Sequence, residues 1–187
     1  MLSAILHEPL VVWTLRSFLA ALFLTAALSK LTAIDEFHGV VRNFRLLPDG
    51  LARPVAMVLP VVEMAIAAGL LIGPLARPAA LAAAALLAVF GLAIAVNVLR
   101  GRTQIDCGCF RNGMKQRIGW ATVARNGVLT ALALGAGALL AQGRAASAGD
   151  IATGLAAGLT LTLLYMGAEM LGGFVAMNNR ASSTKGR

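Results

Sequence analysis

Apolar positions in this chain come in long blocks. Five runs dominate the pattern: Leu10–Ser29, Pro54–Ile72, Pro78–Leu99, Trp120–Ala141 and Ile151–Met177. Each is close to the roughly 20 residues that a helix needs to cross a bilayer. In lipid an open sheet strands its backbone polar groups, so runs of this kind have to be helices. The pattern therefore predicts an all-α, multi-pass transmembrane bundle. About five spans are expected, with four as the alternative, in a single integral membrane domain over residues 1–187. Pro54 suits a helix start. Trp13 and Trp120 fall near span ends, where indoles prefer the membrane surface.

One segment breaks the block pattern. Across Ala33–Leu47 the apolar residues Phe37, Val40, Val41, Phe44 and Leu47 recur at helical spacing, with His38, Arg42, Asn43 and Arg45 elsewhere on the wheel. This predicts an amphipathic helix lying in the membrane interface. Asp35 or Thr32 is placed to cap its start, and Pro48-Asp49-Gly50 to turn the chain into the second span. In the fifth span, Gly154-Leu155-Ala156-Ala157-Gly158 sets two glycines one helical turn apart, a spacing that allows close helix approach. Residues 178–187 read as a disordered basic tail.

Composition sharpens this picture. The 187 residues are 59% hydrophobic and only 13% charged, against about 25% charged in a soluble domain. The formal net charge of +8 comes from residues that flank apolar runs, so it argues for membrane orientation and against nucleic-acid binding. The first run is too long for a signal core and lacks a small-residue cleavage site, so it reads as a retained span. With five spans, Lys30, Arg42, Arg45, Arg53, Arg100, Arg102, Arg111, Lys115, Arg117, Arg180, Lys185 and Arg187 share one side, and only Arg77 and Arg144 face the other. The positive-inside rule then puts the twelve in the cytoplasm and the N-terminus outside.

Four ionisable residues fall inside spans, where charge is costly: Arg16, Glu63, Arg125 and Glu169. At ~1.5 Å per residue their depths from the more basic side are about 21, 15, 8 and 12 Å respectively. They read as a buried polar cluster in which Arg16 pairs with Glu63, and Arg125 with Glu169. The pairs either fix helix register or line a polar pocket that moves protons or binds a client. Lys30 can snorkel to the surface and receives no special role on this reading. His38 reads as a surface residue.

The only two cysteines are Cys107 and Cys109, inside Ile105-Asp106-Cys107-Gly108-Cys109-Phe110-Arg111. Three chemistries stay open for them. Zinc wants about four ligands, and only His7 and His38 are on offer elsewhere, so no metal is expected. An inert pair is possible, though the residues sit between polar neighbours in a loop. Redox or thiol exchange is favoured by the surrounding Arg100, Arg102, Arg111, Lys115 and Arg117, which stabilise thiolate. Asp106 is placed to accept a proton, and Gly108 loosens so tight a ring. The pair carries two electrons and needs a partner to regenerate it.

Several of these pieces occur together in order. Ala27-Leu28-Ser29-Lys30-Leu31, Phe44-Arg45-Leu46-Leu47-Pro48, Leu59-Pro60-Val61-Val62-Glu63 with Gly69-Leu70, and Asp106-Cys107-Gly108-Cys109-Phe110 resemble the methylamine utilisation protein MauE family, within the MauE/DoxX group of redox-associated membrane proteins. The resemblance covers about residues 10–141. Arg111 stands where that family's Cys-Gly-Cys-Phe-Gly pattern has its last glycine.

The resemblance implies a bacterial inner-membrane protein. Its implied role is to support processing, transport, disulfide formation or cofactor maturation of the periplasmic methylamine dehydrogenase small (beta) subunit, beside the thioredoxin-like MauD. It makes Cys107 and Cys109 the redox candidates, and it matches Glu63 and Lys30 to the family's membrane signature. The tryptophan tryptophylquinone belongs to the client, and no cofactor of this chain's own is expected. Alternatives are a quinone-linked membrane thiol oxidoreductase or a small export component. One conflict follows: disulfide formation in a periplasmic client suits a periplasmic cysteine pair, and the charge count places the pair in the cytoplasm.

Overall fold

A computed structural model describes residues 9–105, 118–141 and 145–185, with residue 49 and residues 173–185 as backbone only. The described residues form helices and no strands. The order is α1 (Pro9–Leu31), α2 (Ile34–Phe44), α3 (Asp49–Leu71), a 3-10 turn (Gly73–Leu75), α4 (Ala76–Leu99), α5 (Trp120–Leu140) and α6 (Ala148–Lys185). Five of them are long and apolar enough to cross a membrane; α2 is the short exception.

The centre of the bundle is α1, which packs against α3, α5 and α6, while α4 pairs with α5 and α3. The core is built from Phe18, Leu19, Leu22 and Phe23 of α1, Ile66 and Leu70 of α3, a run of alanines with Leu87 on α4, and Leu129 and Ala133 on α5. Alanine and glycine bring the helices close, as dispersion-driven packing in lipid requires. At Gly69 of α3 an added Cβ would come within 2.9 Å of the Ala79 Cβ on α4.

The glycine spacing in α6 is put to the same use. A Cβ on Gly158 would overlap the Ser17 hydroxyl and lie 2.7 Å from the Phe18 nitrogen. A Cβ on Gly154 would press on Trp13. The two glycines seat α6 against α1, and the Ser17 hydroxyl donates across the contact to the Gly154 carbonyl at 2.8 Å.

Three boundaries differ from the sequence expectation. The second membrane helix starts at Asp49, and Pro54 and Pro60 lie inside it. Extended Pro48 launches α3, and the Leu51 N–H donates to the Pro48 carbonyl at 2.9 Å. Pro54 then sits in the second turn, where the missing N–H costs one hydrogen bond close to the helix end. The amphipathic helix is shorter than Ala33–Leu47. It has no side-chain cap and ends where Arg45 turns left-handed at φ 48°, so Leu47 is outside the helix. Neither Asp35 nor Thr32 caps it; the Thr32 hydroxyl donates back to the Leu28 and Ser29 carbonyls. At the other terminus α6 continues as helical backbone to Lys185, where a disordered tail was expected from 178. No proline interrupts that stretch.

Candidate functional site

Among the described residues the most buried ion pair joins Lys30 to Glu63. The ammonium donates to both carboxylate oxygens, at 2.7 and 2.8 Å, and to the Ala26 carbonyl at 3.4 Å. Both side chains are almost fully buried, at 4% and 2% exposure. Phe37 of α2 and Phe90 of α4 enclose the ammonium, with ring centroids 5.4 and 5.9 Å away. Lys30 is therefore no snorkelling residue. It stands one residue from the end of α1, yet it meets α3 about four turns in from Asp49. The first turns of α3 thus run past the end of α1. There α2 packs on α3 and covers the pair with buried Phe37.

Arg16 serves a different purpose. Its Nε donates to the Leu70 carbonyl at 2.7 Å and one terminal nitrogen to the Leu71 carbonyl at 3.2 Å. Its guanidinium stacks 3.8 Å over the Trp13 ring. These two carbonyls end α3 and have no partner within the helix, and a cation there also complements the helix dipole. The expected Arg16–Glu63 pairing is not formed. Leu70 lies two turns from Glu63, about 10 Å along the axis.

The other expected pair is brought together: Arg125 of α5 donates to Glu169 of α6 at 2.8 Å. It is shallower, at 12% and 25% exposure. The four span charges thus form no single cluster. One pair ties α1 to α3, a second ties α5 to α6, and Arg16 caps α3.

Asp106, Cys107 and Cys109 lie outside the described residues, as do Arg111, Lys115 and Arg117. Both ends of their segment are described. The Ile118 N–H donates to the Ile105 carbonyl at 3.0 Å, so residues 105 and 118 meet. Ile94 and Ile118 form a small apolar cluster with Phe44, Val98, Ile105 and Val123 beneath that junction. Arg102 fastens it to the amphipathic helix. Its guanidinium donates to the Asn43 carbonyl at 2.8 Å, the Phe44 carbonyl at 3.3 Å and the side-chain oxygen of fully buried Asn97 at 3.2 Å.

Two of these roles leave little trace in the sequence, those of Lys30 and Arg102. Lys30 looked like a terminal lysine, and only the family resemblance singled it out. Arg102 looked like one more loop charge. Asn97, inside an apolar run, was the available signal: a fully buried amide needs partners. Among the described residues no group of His, Cys, Asp and Glu is arranged to hold a metal.

Comparison with known proteins adds the lineage. The family model described as "Methylamine utilisation protein MauE" matches residues 8–142. The chain is 70% identical over 186 residues to the methylamine utilization protein MauE of Paracoccus versutus, covering all of both chains. It is 59% identical to that of Paracoccus denitrificans, over 97% of this chain and 98% of the relative. Identity to the Methylorubrum extorquens protein is 50% over the full length of both. No solved structure matches. With a matching family model over most of its length and full-length relatives of that name, the chain belongs to the MauE family of methylamine utilisation proteins.

Proposed function

We propose that this protein is an inner-membrane maturation factor for the small (beta) subunit of methylamine dehydrogenase, working with a thioredoxin-like partner of the MauD type. Family membership supplies the pathway. The observation that carries the reading further is the anchored junction of residues 105 and 118, clamped by Arg102 onto α2. A segment rooted at a fixed point on the end of a membrane bundle is suited to presenting Cys107 and Cys109 to a client or partner. Thiol–disulfide exchange there moves one disulfide: one S–S bond breaks as another forms, and two electrons and two protons pass the opposite way.

In this reading the N-terminus is outside and the cysteine segment cytoplasmic. Eleven basic residues stand on that side once Lys30, neutralised by Glu63, is set aside, against Arg77 and Arg144 on the other. The protein then handles the subunit before or during export. The test is a Cys107→Ser, Cys109→Ser double variant. It should insert normally and leave methylamine dehydrogenase immature; full client activity in that strain sinks the thiol role. Thiol labelling with a membrane-impermeant reagent fixes the side. Labelling only after permeabilisation is expected. Labelling in intact cells overturns the orientation and moves the chemistry to periplasmic disulfide formation.

A further inference from the structure

The basic residues on the cysteine side are not equivalent. Lys30 is committed to Glu63, and Arg102 to the end of α2. Arg42, Arg45, Arg53 and Arg100 remain exposed. Three of them sit at one junction: Arg42 in the last turn of α2, Arg45 at its left-handed end, and Arg53 at the start of α3. Arg100 ends α4, two residues before Arg102, whose bonds to Asn43 and Phe44 bring that end to the same junction.

Exposed leucines stand between these arginines. Leu46, Leu47 and Leu51 are 39%, 39% and 51% exposed, and Leu99, beside Arg100, is 73% exposed. In water such a surface costs free energy. At a membrane surface the leucines reach acyl chains while the guanidiniums reach phosphates, which they bind in bidentate fashion. An acidic protein would satisfy the charges and leave the leucines in water.

We infer that the α2–α3 junction with the end of α4 is a binding surface for anionic phospholipid headgroups, with Arg42, Arg45 and Arg53 on the phosphates and Leu46, Leu47 and Leu51 in the acyl layer. The site does not depend on the thiol reading. It gives α2 a membrane-facing side opposite the face that Phe37 buries.

The experiment uses the full-length protein in nanodiscs and mixed micelles, with phosphatidylglycerol and phosphatidylcholine as the probes. Lipid retention is read by native mass spectrometry. Wild type should hold phosphatidylglycerol more tightly than phosphatidylcholine, by about fivefold for each engaged arginine at low salt. The combined variant Arg42→Gln, Arg45→Gln, Arg53→Gln should lose that preference, and Arg77→Gln, at the opposite end of the bundle, should keep it. High salt should erase the preference in wild type, a readout that needs no variant to fold. A triple variant with wild-type preference overturns the site, as does equal loss in Arg77→Gln. Absence of any preference in wild type overturns it too, even if an acidic protein binds there.

Discussion

Two ion pairs among the described residues differ in what surrounds them. Lys30–Glu63 is sealed at 4% and 2% exposure, with two aromatic rings near the ammonium. Arg125–Glu169 lies at 12% and 25% exposure, between helices that hardly pack on each other. Both bonds are short, at 2.7 and 2.8 Å. Distance alone would rank them equal. Burial separates them: a sealed charge that loses its partner is held among packed side chains, whereas one on the bundle's outer face can bend toward the membrane surface, as long side chains do.

The largest effect should therefore come from opening the sealed pair from one side. Glu63→Ala is expected to destabilise the bundle by about 3–5 kcal/mol, because the Lys30 ammonium stays buried and unmatched. Unfolding in mixed micelles with increasing SDS measures it. The double variant Lys30→Met, Glu63→Leu removes both charges and fills similar volume, so it should recover most of that loss. If it does, and client maturation still fails, the pair does more than hold α1 to α3. If the single variant costs under about 1 kcal/mol, the contrast between the two pairs collapses.

The next effect concerns what holds α6. The glycine contacts with α1 and the Arg125–Glu169 bond both attach it. Gly158→Leu would drive a side chain into Ser17 and the backbone at Phe18. Overpacking of this kind costs about 1–3 kcal/mol, and α6 should detach locally. Cysteines introduced at facing positions of α1 and α6 should then cross-link more slowly, while α4–α5 cross-links stay unchanged. Wild-type cross-linking in Gly158→Leu would mean that the helices are not pressed together there.

These contrasts also explain how much of the molecule was legible beforehand. The spans were, because lipid allows one solution to a long apolar run. The glycine pair in α6 and the Arg125–Glu169 contact were visible too, since each depends on spacing along helices of known depth. The partner of Glu63 was not. Depth counting treats span ends as level, and α3 runs well past the end of α1, so the count leaves Lys30 free to snorkel to the surface. Arg102 was hidden for a different reason. Its acceptors are backbone carbonyls at Asn43 and Phe44, remote in sequence, and a carbonyl leaves no mark on the residue type that carries it. The family motif pointed to Lys30 and Glu63 without showing that they touch.

The smallest expected effect is the most discriminating. Arg125→Gln removes a charge from a pair whose acid is a quarter exposed, and Gln keeps a donor within reach of Glu169. Exposed pairs and polar contacts between membrane helices are worth about 0.5–1 kcal/mol, so stability should fall by no more than that. Its α1–α6 cross-linking rate should match wild type, because the glycine seat on α1 is intact. A loss as large as that of Glu63→Ala would show that water and headgroups do not reach Glu169. The two pairs would then be the same device at different depths. A small loss, with α6 still in place, leaves packing against α1 as what fixes the fifth span, and makes Lys30–Glu63 the one of the two pairs that is costly to break.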